Sequence, residues 1–177
     1  AYIVMSRVMS APVSRRLWPS LMTGVPGERS VFLCRLTSTM CGICGSVGRA
    51  DGTLIERMTR TLEHRGPDGE GTKVFSSEPG SVRAALGHRR LSIIDTTERG
   101  AQPMSYAGDR YWITFNGEIY NYRELRRELE DLGLSFKTET DTEVLLASFV
   151  AFGPGMLDHL NGIFAFGIWD REESSLF

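Results

Sequence analysis

Four short segments of this chain gather side chains that can do chemistry together. Met40-Cys-Gly-Ile-Cys-Gly45 offers a thiol among small residues, and Gly87-His-Arg-Arg-Leu-Ser-Ile-Ile-Asp95 offers guanidinium groups. Asn116-Gly-Glu-Ile-Tyr-Asn121 sets a carboxamide beside a glycine, and Glu139-Thr-Asp-Thr-Glu143 supplies carboxylates. A fifth, Arg65-Gly-Pro-Asp-Gly69, is a turn-forming run. A nucleophile, a cation, an amide donor and a carboxylate, each where a strand is expected to end, suit attack on a small polar substrate held by its charges.

Taken singly, each motif has a plainer reading. Cys41 and Cys44 form a C-x-x-C, but zinc needs two more ligands at matching spacing and a thioredoxin-type site needs a helix opening at the first cysteine. Gly-Ser-Val-Gly follows Cys44, and His64, His88 and His159 are scattered, so no metal or redox site is expected. Asn116-Gly117 alone reads first as a hairpin, because Asn-Gly is the commonest type I′ pair. Asp141 alone reads as a helix N-cap. With Cys34 there are three cysteines, too few and too close for a disulfide framework, which favours a reducing, cytoplasmic setting.

The elements that must position these residues follow from periodicity. Ile43 and Val47 lie in a short apolar segment bounded by glycines, a buried strand of about six residues. Leu54, Met58 and Leu62, with Ile55 beside them, recur at helical spacing over about 54–64, and Pro67 with its flanking glycines ends that helix. Strands are predicted at 72–77 and 82–88, paired antiparallel, and again over 111–115, ending on Asn116-Gly117. Asn121 and Glu124 resemble a capping box for a helix carrying Leu125, Leu129 and Leu132, closed by Gly133. A strand near 134–138 and a helix capped by Asp141, with Val144, Leu145, Phe149 and Val150 on its apolar side, come next. The run 163–169 alternates Phe164, Phe166 and Ile168 against Ala165 and Gly167, and 174–177 reads as the opening of another strand. Strands in antiparallel runs with helices between them define an α+β class.

At 177 residues the chain suits one domain with a substantial core. Its net charge of −2 recommends neither nucleic acid nor an anionic membrane as partner, and no apolar run approaches the ~18 residues of a membrane helix. Five arginines and one acid give residues 1–40 a charge of +4, which leaves −6 for the rest. That segment lacks a sustained period and is expected to be a disordered extension, either a mistaken start upstream of Met40 or a presequence.

Together the five segments resemble, in order and spacing, the class II glutamine amidotransferase domain of glutamine-hydrolysing asparagine synthase. The resemblance covers 41–177, not 1–40. It implies an N-terminal nucleophile hydrolase fold, a four-layer α/β/β/α sandwich with two antiparallel sheets. It implies removal of the initiator methionine, making Cys41 the first residue, and a domain truncated at its C-terminus. A terminal cysteine holds a thiol (pKa ~8.5) and an α-amine (~7.7–8.0), a nucleophile and a base in one residue.

By the same resemblance, Cys41 attacks the side-chain amide of L-glutamine, while the Asn116 side chain and the Gly117 N–H form the oxyanion hole. Arg90 binds the α-carboxylate with Leu91 and Ile93 lining the pocket, and Asp141 receives the α-ammonium with help from Glu118. Arg89 is expected to be a solvated or ion-paired neighbour, and His64, Arg65 and His88 to organise loops. Ammonia would pass to an ATP-activated aspartate in a C-terminal synthetase domain in cis, where ATP and magnesium belong; a homodimer is compatible with this. Two alternatives stay open: a catalytically silent glutamine-binding or regulatory domain, and the amidotransferase of a related peptide or polysaccharide pathway.

Overall fold

In a computed structural model of the chain, residues 7–8, 30–34, 41–48, 52–78, 81–91 and 100–177 are described. Among the described residues nine strands lie in two antiparallel sheets. Sheet I holds Ser30–Cys34 (β2), Gly42–Val47 (β3), Gly69–Glu78 (β4) and Ser81–Arg90 (β5), in the order β2-β3-β5-β4. Sheet II holds Arg7–Val8 (β1), Met104–Tyr106 (β6), Tyr111–Ile119 (β7), Gly162–Asp170 (β8) and Ser175–Leu176 (β9). Its order is β1-β8-β7-β6, with β9 also on β8. Thus β1 and β2 fall within the 1–40 extension, whose remaining residues lie outside the described ones.

The period-two alternation of each strand assigns its faces. In β3 and β5, Cys44 and Ala85 pack with Ile55 and Leu62 of the first helical region, whereas Val47, Ala84 and Leu86 cluster with Phe75, Trp112 and Trp169. Sheet I therefore carries helix α1 (Gly52–Thr61) on one face and sheet II on the other. In β7 and β8, Ile113, Phe115, Phe164 and Ile168 join Leu125, Leu129 and Leu145 in the outer core. Those leucines belong to α2 (Tyr122–Asp131) and α3 (Asp141–Phe152). The layers are α1, sheet I, sheet II and α2 with α3, the expected four-layer sandwich.

The interlayer is uneven along its length. One end is filled by aromatics, with Phe75 and Trp112 edge to face at 5.8 Å and Phe75 and Trp169 at 5.9 Å. Toward the other end the pairs are small or polar: Ile43 meets Ala165, and the Thr114 hydroxyl donates to the Gly87 carbonyl at 3.0 Å. Large apolar residues thus hold the sheets together at one end, while the opposite end is lined by groups that need partners.

Several local predictions change. The inward face of α1 centres on Ile55 and Thr59, about one residue round from the Leu54-Met58-Leu62 stripe. Strand β7 does not stop at Asn116-Gly117 but continues to Ile119, with Asn116 opposite Ala165 and Gly117 opposite Phe164, so no hairpin forms there. Asn121 stands at the N-cap position of α2 without capping it, because its side chain donates to the His159 carbonyl at 2.8 Å and accepts from Asn161 N–H at 2.9 Å. Gly133 does close α2: its N–H reaches the Glu130 carbonyl and that of Leu134 reaches Leu129, a Schellman pattern, with φ +88° at the glycine. No strand forms over 134–138. The backbone there is held by the Glu143 carboxylate, which accepts from Lys137 N–H at 2.9 Å and Thr138 N–H at 2.7 Å.

Gly87 shows how closely α1 sits on sheet I. A Cβ at this position would collide with the Thr59 hydroxyl and lie 2.7 Å from the Cys44 sulfur. Gly87→Ala is therefore expected to lower the unfolding free energy by about 1–3 kcal/mol, as overpacked cores do, read as a lower urea midpoint at unchanged m-value.

Candidate active site

Strand faces decide which side chains meet at the polar end of the interlayer. Cys41 precedes β3 by one residue and shares the face of Ile43, which packs on Ala165 of β8. Ala165 is paired with Asn116, so Asn116 also faces sheet I. Running from Val47 through Ile43 to Cys41 leads from the Trp112–Trp169 end to the level of Asn116 and beyond. Arg90, at the end of β5, shares the face of Leu86 and points the same way.

Cys41 is half-buried, and its sulfur sits against the backbone of Leu91: the Leu91 N–H points at Sγ at 3.4 Å, with the Leu91 carbonyl 3.8 Å away. The segment carrying Arg90 and Leu91 is fixed by the Arg65-Gly-Pro-Asp run. Asp68 N–H donates to the Arg90 carbonyl at 3.1 Å, and a Cβ on Gly66 would lie 2.6 Å from Arg90 N, so only glycine fits. Arg89 turns to the opposite face, donating to the Gly66 carbonyl at 3.0 Å and pairing with Glu70 at 2.7 Å. The expectation of an ion-paired neighbour for Arg90 describes it well.

Asn116 is 1% exposed, and neither end of its carboxamide has a hydrogen-bond partner among the described residues. A buried polar group left in this state costs about 1–3 kcal/mol, so the carboxamide calls for a partner, an ordered water or a ligand. Gly117 has φ +153°, and a Cβ there would run into the Ile163 carbonyl and Phe164 Cα of β8. Its glycine is dictated by the neighbouring strand as well as by any ligand.

The carboxylate of Asp141 accepts from Ile119 N–H at 3.1 Å. Asp141 is the first residue of α3 rather than its cap. Thr140 caps the helix through a hydrogen bond from Glu143 N–H at 3.3 Å, which frees Asp141 to face β7. The Thr-x-x-Glu spacing of 140–143 is itself a capping-box signature, a signal that would have placed the helix start one residue earlier. Burial raises the Asp141 pKa above the ordinary carboxylate range; the N–H groups of Ile119 and Thr142 oppose this, and the Glu118 charge adds to it. The Arg90 guanidinium reaches the same region, since a Cβ on Gly100 would lie 3.0 Å from Arg90 Nη2 and 3.6 Å from Thr140 Cγ2.

Cys41, Arg90, Leu91, Asn116, Gly117, exposed Glu118 and Asp141 thus lie around one end of the sandwich, while Ile93 lies outside the described residues. The two cysteines of the C-x-x-C face opposite ways. Cys44 lies against Thr59 at 3.5 Å beneath α1, and burial pushes its thiol up to about 11. Among the described residues no group of three or more His, Cys, Asp or Glu side chains could hold a metal ion, and no helix is long and apolar enough to cross a membrane.

His88 is not a loop organiser. It lies in β5, 2% exposed between the sheets, where burial, opposed by a hydrogen bond to the Phe115 backbone and aided by the Arg90 charge, holds its pKa down to about 4.

The sandwich superimposes on the glutamine phosphoribosylpyrophosphate amidotransferase of Bacillus subtilis with a TM-score of 0.58 and 24% identity, over 75% of this chain and 35% of that one, a likeness of fold alone. The sequence profile of the glutamine amidotransferase domain matches residues 40–177, and the chain belongs to that family. It is 46% identical over 145 residues to asparagine synthetase [glutamine-hydrolyzing] 1 of Bacillus subtilis, covering 78% of this chain and 22% of the relative. Over 141 residues it is 41% identical to asparagine synthetase B [glutamine-hydrolyzing] of Escherichia coli, covering 77% and 24%. The chain thus spans less than a quarter of the length of these relatives.

Two outcomes follow from the burial of these groups. Because Cys44 is enclosed and its thiol stays protonated, iodoacetamide at neutral pH is expected to label Cys41 and leave Cys44 unmodified until denaturant is added, as read by peptide mass mapping. Because the folded-state pKa of His88 lies below its unfolded value, its contribution to stability is complete above about 6.5 and is lost as pH falls toward 4. That span corresponds to about 3 kcal/mol, and His88→Gln is expected to flatten the stability profile in this window.

Proposed function

We propose that the domain hydrolyses L-glutamine to glutamate and ammonia, with Cys41 as nucleophile, as the glutaminase half of an asparagine synthase. The observation that carries this reading is the buried, unpartnered Asn116 carboxamide on the same interlayer end as a half-buried thiol, a guanidinium and a carboxylate. Free glutamine supplies a partner for each. Its α-carboxylate suits the two-pronged Arg90, its α-ammonium suits Asp141, and its side-chain carbonyl suits the donors of Asn116 and Gly117.

In the proposed reaction the Cys41 sulfur bonds to the side-chain carbonyl carbon of glutamine, and negative charge moves onto its oxygen between Asn116 Nδ2 and Gly117 N–H. The Cys41 α-amine takes the thiol proton and delivers it to the departing nitrogen, releasing ammonia and leaving a thioester. Water then attacks the thioester, returns the thiol and frees glutamate. Asp141 favours substrate entry in a second way, because burial, with the Glu118 charge adding to it, raises its pKa, and an arriving ammonium offsets that cost of holding the carboxylate ionised. In the whole protein the ammonia would be used on an ATP-activated aspartate by a following synthetase domain, in a reducing cytoplasmic setting that keeps the thiol free.

A second reading rests on one fact of the sequence: within residues 1–177 the nitrogen of Cys41 is peptide-bonded to Met40. In that form the domain would bind glutamine without turning it over. A glutaminase assay on chains 1–177 and 41–177 separates the two, with activity expected only in the shorter one. Equal activity with the extension still attached, verified by mass spectrometry, would rule out the α-amine as base. In the active form, Asn116→Ala is expected to lower kcat about 10²–10³-fold, the usual cost of an oxyanion donor. Asp141→Asn is expected to raise KM for glutamine while raising the thermal midpoint at neutral pH, since an acid whose folded pKa is raised loses stability as pH climbs above its unfolded value.

A further inference from the structure

Gln102 carries no role in any motif singled out from the sequence, yet it touches β7 and α3, two elements that form the site, and β4 beside them. Its Oε1 accepts from Phe115 N–H at 2.6 Å, one residue before Asn116. Its Nε2 donates to Thr142 Oγ1 at 3.3 Å, one residue after Asp141. Its backbone lies on β4, where a Cβ on Gly71 would collide with the Gln102 carbonyl and lie 3.3 Å from Pro103 Cδ.

The position matters because of how β7 is paired. Strand β6 covers β7 only at residues 111–113. Beyond that the N–H groups on this edge, those of residues 115, 117 and 119, need other acceptors. Gln102 takes the first and Asp141 the third. The N–H of Gly117 points to the same edge between them, two residues or about 6.6 Å along the strand from Ile119. Gln102 therefore closes one side of a slot whose other side is Asp141, and through Thr142 it is tied to the helix that carries Asp141.

We propose that Gln102 is a positioning residue that sets the separation between the donors of β7 and the carboxylate at the head of α3, and so makes the site select a substrate with an α-ammonium group. The inference rests on the glutamine reading above. Without the Gln102 bridge the head of α3 loses one of its hydrogen-bonded ties to β7, and a displacement of about 1 Å at a reacting centre costs as much as 10²-fold. The loss falls on substrates that must reach both ends of the slot.

The test uses the full 177-residue chain and alkylation of Cys41 by the chloroketone analogue of L-glutamine, in which the sulfur displaces chloride and forms a thioether. Its counterpart lacking the α-amine and iodoacetamide serve as comparison reagents. Wild type is expected to react faster with the amine-bearing reagent than with the other two. Gln102→Met and Thr142→Val are expected to lower the preference for the α-amine about tenfold while leaving the iodoacetamide rate unchanged. Gln102→Glu is expected to keep the preference within about twofold of wild type, since a carboxylate still accepts from Phe115 N–H and the Thr142 hydroxyl turns to donate to it. Absence of the preference in wild type would defeat the glutamine reading itself. A wild-type preference that survives in both Gln102→Met and Thr142→Val would defeat the role given to Gln102 alone, and Thr142→Val decides the matter should Gln102→Met fail to fold.

Discussion

An unpaired strand edge is the constraint around which this domain is organised. Past Ile113, no strand among the described residues pairs with the outer side of β7, while its inner side stays fully laddered to β8 as far as Ile119. Backbone N–H groups left in a partly buried position must find acceptors, and here the acceptors are side chains from a loop and a helix: Gln102 and Asp141. Burying β7 on both faces makes its direction rigid, and the end of its outer ladder at Ile113 leaves its further N–H groups to side-chain acceptors. A fully paired β7 would hold Asn116 equally still but would close its edge.

Packing at the far end of the sandwich makes this arrangement durable. The cluster of Phe75, Trp112, Trp169 and Leu86 joins the two sheets by burial of large apolar area, which frees the opposite end to carry polar groups. There, Ile43 against Ala165 keeps the sheets in contact while leaving room for His88 and Asn116. Burial imposes a definite charge state on what it encloses. His88 is held neutral, so it adds no positive charge beneath Arg90, and burial raises the Asp141 pKa. The end of the interlayer therefore carries opposite charges on two sides, the Arg90 guanidinium and the carboxylate at the head of α3.

Much of the architecture was legible from residue order. The antiparallel pair of β4 and β5, the amphipathic α2 with its glycine stop, and the final strand all follow from periods and punctuation that local sterics enforce. The failures share a cause. Asn116-Gly117 has the composition of a turn, but a strand already paired to β8 carries it straight through. Asn121 has the composition of a cap, but the backbone of 159 and 161 lies closer to its side chain than its own helix N-terminus does. The run 134–138 looks like a strand, but the buried carboxylate of Glu143, in the first turn of the next helix, takes the N–H groups of Lys137 and Thr138. In each case a partner remote in sequence or reached by a side chain outbid the local preference.

The chemical inventory of this protein was settled by the sequence alone: a thiol, a guanidinium, a carboxamide beside a glycine and a carboxylate, in a spacing that resembles one family. Such an inventory depends only on which atoms are present and in what order. Their arrangement around one end of the sandwich was decided by the tertiary structure, through which face of each strand meets the other sheet, which N–H groups the short β6 leaves uncovered, and how Gln102 joins β7 to α3. Those are long-range choices, made where two sheets and a helix compete for the same buried space, and no local pattern of residues contains them.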